Sequence, residues 1–296
     1  MHGANSLWAR LYCCGALLLA VGGGARAADD AAAGFDLSRP VITAFIETAV
    51  AGGTDRQRVL TLLAAARPQP RITEIMARPA EKALQWWEYR ARFITDERID
   101  AGVALWREHR DELEAIARAE RVEPQYVLAI LGVETFYGRN TGRYRVLDAL
   151  ATLAFDYPPR ATFFQSELAQ FLKLSAEESL DATTVTGSYA GAMGLAQFMP
   201  SSYRQYAINA GSAPGRDLWN DWGDIFGSVA HYLAVHGWQY GGAVLADASL
   251  DGTTVPAVVD KITLTESLGS LRAAGFTIDS GAYADTPALA LSAPQQ

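Results

Sequence analysis

Glu134 sits where a side chain could do acid chemistry. Counted from Val127, the positions three, four and seven further on are Ile130, Leu131 and Glu134, so an apolar helical stripe runs into a carboxyl group. A carboxyl placed there loses solvent and faces the negative end of the helix dipole, and both effects favour its protonated form. A carboxylic acid still protonated near neutral pH can donate to a leaving-group oxygen, as cleavage of a glycosidic bond requires. On spacing alone the structural alternative carries more weight: a Glu that ends a core helix and pairs with Arg139 or Arg143.

A second segment shifts that balance. From Ser188 to Tyr203 the small residues Ala190, Gly191, Ala192, Gly194 and Ala196 would let a backbone pass close to a ligand, and Ser188 and Gln197 add neutral donors and acceptors. Neutral polar groups beside aromatic faces suit an N-acetylated sugar. The chain has seven Trp and twelve Tyr to supply such faces, although Trp86 and Trp87 read first as core residues. Other chemistry finds little support. His231 and His236 lack the spacing of a His-Glu-x-x-His zinc site, Gly187 to Gly191 lacks the spacing of a nucleophile elbow, and no phosphate-cradling glycine loop with Lys occurs.

The elements that would carry these residues are helical. Periodicity predicts helices over 40–46, 56–66, 81–94, 96–119, 124–136, 147–155, 160–174, 191–198, 201–207 and 224–235. Pro124 suits a first helical turn, and Gly138 with Asn140 ends that helix. After Gly237 the sequence turns Gly/Ala/Thr-rich, with β-like pieces at 255–259 and 262–264 and a short helix at 268–274. The expected class is mostly α, with a small, partly β C-terminal lobe.

The 296 residues are half hydrophobic and 20% charged, which is globular composition. Net charge is −8, and an acidic chain is a poor general nucleic-acid binder. Residues 1–27 read as an export signal: Arg10, an apolar core over 11–21, three glycines, then Ala25-Arg26-Ala27 before a cut at Ala28. Both cysteines, Cys13 and Cys14, lie at the start of that core, whereas an acylated cysteine would follow it, so a lipid anchor is disfavoured. The mature chain would be free of disulfides and cysteine metal sites, and a periplasmic location is expected.

Gly132-Val133-Glu134-Thr135, Leu147 to Leu153, Tyr157-Pro158-Pro159-Arg160, Gly187 to Tyr203 and His236-Gly237-Trp238 together resemble the membrane-bound lytic murein transglycosylase B family. Trp86-x-x-Tyr89-Arg90-x-x-Phe93 agrees with that family's lead-in, and the likeness runs from about residue 35 to 280. The resemblance implies a lysozyme-like α domain over residues 39–240, preceded by a flexible segment at 28–38 and followed by a lobe and tail at 241–296. It implies cleavage of the β-1,4 bond between N-acetylmuramic acid and N-acetylglucosamine in peptidoglycan without water, leaving a 1,6-anhydromuramoyl end. Glu134 would be the single acid/base, and Ser188, Gln197, Tyr89, Arg160 and Tyr232 would line the glycan cleft. The implied partner is the glycan strand, met by a monomer without cofactor; protein partners in wall remodelling stay open. Two alternatives also stay open: a catalytically silent peptidoglycan-binding protein and a hydrolytic muramidase.

This chain departs from the family pattern twice. Many relatives carry an EF-hand-like calcium loop after the Gln-Phe-Met-Pro motif, but Gly211 and Ala213 stand here where oxygen ligands would be needed, so no metal is expected. The chain also stops at Pro294-Gln295-Gln296, where relatives continue toward the cleft.

Overall fold

The structure, a computed structural model, describes residues 34–77, 86–250, 266–279 and 287–288. The export signal, the β pieces expected at 255–259 and 262–264, and most of the tail lie outside the described residues.

Helix starts follow local chemistry. Pro40 opens α1 (Pro40–Ala51), and Asp55 caps α2 (Arg56–Ala65) by accepting from the Arg58 N–H at 2.8 Å. Two short helices follow, α3 (Pro70–Ala77) and α4 (Trp86–Ala91). Thr95 caps α5 (Asp96–Glu108), and α6 (Arg110–Glu120) comes directly after it. The 96–119 run is therefore two helices and not the single one expected. His109 leaves helical geometry at φ −110° and ψ 25°, and its ring packs 5.2 Å from Trp222 and 5.8 Å from Phe226. That tertiary anchor breaks a charge pattern which reads as continuous.

Pro124 opens α7 (Pro124–Thr135). The centre of the domain is α8 (Val146–Asp156), where every residue from Val146 to Phe155 is buried. Such a helix must be wrapped on all sides; α3 and α9 (Ala161–Glu177) supply much of that cover, with Phe155 edge-on to Phe35 and Phe45. The polar groups of α8 are satisfied from neighbouring segments. Asp148 takes a two-pronged Arg145 at 2.7 and 2.8 Å and the Arg67 N–H at 2.8 Å, and Thr152 accepts from the Gln69 N–H.

Two further helices, α10 (Pro200–Tyr206) and α11 (Trp222–Val235), complete the domain. A short ladder pairs β1 (Tyr144–Arg145) with β2 (Thr186–Gly187), antiparallel, with Tyr144 opposite Gly187. Beyond α11, β3 (Ala248–Leu250) pairs with β5 (Phe276–Ile278) and β4 (Glu266–Ser267) with β6 (Pro287–Ala288), around α12 (Leu268–Ala273). The fold is mostly α with a small, partly β C-terminal part.

Residues 191–198 are not the helix that their spacing predicts. Gly191, Gly194 and Gln197 have φ of 87°, 68° and 51°, and the segment is tied by single bridges between Gly187 and Met193 and between Met193 and Phe198. A left-handed residue every three positions cannot propagate an α-helix.

Candidate active site

Glu134 is on the last turn of α7, a helix packed against α5, α6 and α11. The apolar stripe does lead to it: Val127 and Leu131 are fully buried, and Ile130 is partly so. Glu134 itself is half-buried, and Val133 beside it is 42% exposed, so the helix end meets solvent along one edge. Burial alone pushes the Glu134 carboxyl up to about 8. The pairing that spacing favoured is not formed with Arg139, whose guanidinium bonds Glu97 at 2.7 Å and lies 4.4 Å over the Phe136 ring.

The chain reverses abruptly after the acid. Phe136, Tyr137 and Gly138 have φ of 52°, 55° and 89°, so two bulky residues take left-handed conformations before the expected glycine. Such conformations persist where surroundings over-determine them. Phe136 lies under Arg98 (4.6 Å) as well as Arg139. The Tyr137 phenol fills a slot between Gly132 and Gly102; a Cβ at Gly132 would come within 2.6 Å of its oxygen, and one at Gly102 would also collide with it.

Thr135, fully buried, joins this turn to the 188–198 loop. Its hydroxyl donates to the Leu195 carbonyl at 2.9 Å and accepts from the Gly138 N–H at 3.0 Å. Leu195 also donates its N–H to the Leu218 carbonyl, and Gly138 packs on the Leu195 side chain. Sequence reasoning missed Thr135, although its place beside Glu134 and three residues before a glycine was a usable signal.

The predicted site residues fall into two settings. Ser188 and Gln197 are enclosed within the loop. The Ser188 hydroxyl accepts from the Ala192 N–H at 3.0 Å and the Ala190 N–H at 3.3 Å. Gln197 donates to the carbonyls of Thr141 (3.1 Å) and Gly194 (2.9 Å), while its Oε1 is buried without a hydrogen-bond partner. Tyr232, on α11, is 8% exposed, with its ring stacked on His236 at 4.1 Å and 5.6 Å from Phe198. Ser188 and Gln197 thus belong to the loop whose Leu195 carbonyl receives Thr135, the residue after Glu134, and Tyr232 packs near that loop's Phe198.

The other two lie nearer the surface. Tyr89, half-buried on α4, is 5.0 Å from Phe93, which Arg98 links to Phe136. Arg160 is exposed on the turn before α9, its guanidinium over Phe163 and Phe164 at 4.5 and 5.1 Å. The loop's glycines serve a different purpose from the expected ligand approach. A Cβ at Gly191 would strike Leu150, and one at Gly194 would lie 2.7 Å from the Leu218 carbonyl, so these residues seat the loop on the protein itself.

Three other carboxylates are paired elsewhere. Asp148 pairs with Arg145, Asp156 with Arg39 at 2.7 Å, and Glu167 accepts from the N–H and hydroxyl of Ser201. His231 contacts Glu120 at 3.1 Å and His236 the Tyr232 carbonyl at 2.7 Å, both structural placements. What the geometry defines is an α domain that presents a carboxyl raised by burial at a helix end, braced by a buried glycine-rich loop; Glu167 is also raised by burial but is bonded to Ser201.

The chain belongs to the transglycosylase SLT domain family, whose model matches residues 38–296. It is 38% identical over 234 residues to the membrane-bound lytic murein transglycosylase B of Escherichia coli, a match covering 76% of this chain and 64% of that relative's length. The solved structure of catenated lytic transglycosylase SltB1 from Pseudomonas aeruginosa superposes with a TM-score of 0.80 at 41% identity, covering 85% of this chain and 84% of the other. The Escherichia coli lytic transglycosylase Slt35 in complex with calcium gives 0.77 at 36% identity, covering 87% and 82%. The fold is therefore that of the lysozyme-like lytic transglycosylases.

Proposed function

We propose that this chain is a peptidoglycan lytic transglycosylase with Glu134 as its one acid/base. The observation that carries the reading is a carboxyl group raised to about 8 by burial, at the end of an apolar helix stripe. At neutral pH that group holds a proton and can give it to the oxygen leaving C1 of N-acetylmuramic acid. The glycosidic C1–O bond breaks, and the sugar's own acetamido oxygen shields the positive charge at C1. The carboxylate left on Glu134 then takes the proton from the 6-hydroxyl as that oxygen bonds to C1. A 1,6-anhydro ring forms, no water is consumed, and Glu134 regains its proton. A hydrolase of the two-carboxylate kind would need a second acid about 5–9.5 Å away. Asp148 and Asp156, the nearest downstream candidates in sequence, are tied to arginines.

Gln197 would brace the loop beneath the sugar's amide through its bonds to the Thr141 and Gly194 carbonyls. Ser188 would hold the loop in register beneath the acetamido group, with Tyr232 behind it and Tyr89 and Arg160 along the outer strand path. We place the catalytic unit in residues 39–240 and a small lobe in 241–296. Export through residues 1–27 puts the mature protein in the periplasm. Among the described residues no helix is long and apolar enough to cross a membrane.

Solubilisation of purified peptidoglycan sacculi tests the assignment. The wild-type chain releases soluble muropeptides, and Glu134→Gln, with its fold intact by circular dichroism, releases them about 10²–10⁴-fold more slowly. An unimpaired Glu134→Gln protein would remove Glu134 from the reaction. A wild-type chain that binds sacculi and releases nothing would favour the silent binding protein.

A further inference from the structure

The calcium loop implied by the family does not fit residues 208–221, and we infer that two charged side chains of this protein, Asp224 and Arg216, organise that loop in place of a cation. A calcium site needs several oxygens turned toward one centre. Here the loop turns N–H groups inward. Ala210 and Gly211 both donate to Asp224 Oδ1 at 2.8 Å, and Asp217 donates to Asp224 Oδ2 at 2.8 Å. Asp224 is 1% exposed, so the loop closes around an anion with three charge-assisted bonds. A divalent cation at that centre would face N–H dipoles pointing the wrong way.

The oxygens a cation would seek already have donors. The Ala213 and Gly215 carbonyls accept from Asn209 Nδ2 at 2.7 and 2.5 Å. Asp217 Oδ1 accepts from the Trp219 and Asn220 N–H groups, and Asp221 Oδ1 from the Asp224 N–H. The positive charge comes from Arg216. Its Nη1 reaches the carbonyls of Tyr203, Arg204 and Ala207 at 3.4, 3.3 and 3.2 Å, and Glu178 holds its Nε at 2.8 Å. Gly211 is required by the same closure, since a Cβ there would collide with the Asp221 carboxylate. The loop continues into Leu218, whose carbonyl receives the Leu195 N–H, so a self-contained clasp supports the segment beside Glu134 without an ion.

The test is independent of catalysis. Thermal unfolding and amide exchange of the full chain are measured in EDTA and in calcium chloride at about 5 mM, above the ~0.1–1 mM dissociation range of extracellular calcium modules. The inference predicts the same Tm within a degree and the same slow exchange at Ala210, Gly211 and Asp217 in both. Asp224→Asn places an amide N–H against the Asp217 N–H; it should lower Tm by about 4–8 °C and expose those amides, with no recovery in calcium. A calcium-dependent rise in Tm of several degrees, one-to-one calcium binding by calorimetry, or undiminished protection in Asp224→Asn would overturn it. Should Asp224→Asn fail to fold, the wild-type comparison with and without calcium still decides.

Discussion

At neutral pH the Glu134 carboxyl keeps its proton, since burial moves its ionisation from the ordinary 4.5 up to about 8. Between those values the folded protein keeps a proton that the unfolded chain releases, so Glu134 makes stability fall as pH rises through this window. At pH 7 the deficit is about 3 kcal/mol, from about 1.4 kcal/mol per pH unit. Glu134→Gln removes it. Unfolding midpoints should show the variant several degrees more stable than wild type at pH 7.5 and equal to it near pH 4. Equal stability at both would mean that the carboxyl is wet. Under the proposed mechanism the same value sets the rate: turnover on soluble glycan should decline as pH rises through about 8, where the acid is lost. A rate flat to pH 9.5 would contradict a proton donor with this ionisation.

At the scale of elements, Thr135 is the joint between the helix end and the loop. Thr135→Val keeps shape but leaves the Leu195 carbonyl and the Gly138 N–H unpartnered; a loss of about 1–3 kcal/mol is expected in denaturant titration, with Thr135→Ser recovering most of it. Gly142 (φ 98°) lies where a Cβ would run into the Gly187 backbone, so Gly142→Ala should separate β1 from β2 and impair folding more than a typical surface change. The sequence made some of this visible and concealed the rest. Helices α7, α8 and α11 were readable because 3.6-residue periodicity and Pro124 are local signals, and Glu134 stood out against its own stripe. Residues 191–198 read as a helix because their small residues fit helical spacing, while the left-handed angles of Gly191 and Gly194 go with close packing on Leu150 and Leu218. The break at His109 was hidden for the same reason, since Trp222 and Phe226 that anchor it are over a hundred residues away. The burial of Ser188 and Gln197 likewise depends on the folded loop.

Across the described residues, a mostly α part carries Glu134, and the smaller C-terminal part follows it in the chain. Trp238 and Gly241 both donate to Glu123 at the start of α7, which ties the chain beyond α11 to that helix. If residues 1–27 are an export signal, intact mass of the protein recovered from the periplasm should correspond to a chain starting at Ala28; a mass retaining Met1 would refute that processing. The reaction itself is best tested by its products. Sacculi digested in water enriched in oxygen-18 and analysed by mass spectrometry should yield muropeptides with 1,6-anhydro ends that carry no heavy oxygen, and almost none with Glu134→Gln. Reducing ends bearing oxygen-18 would mean that water attacks C1, and the single-acid account would be wrong.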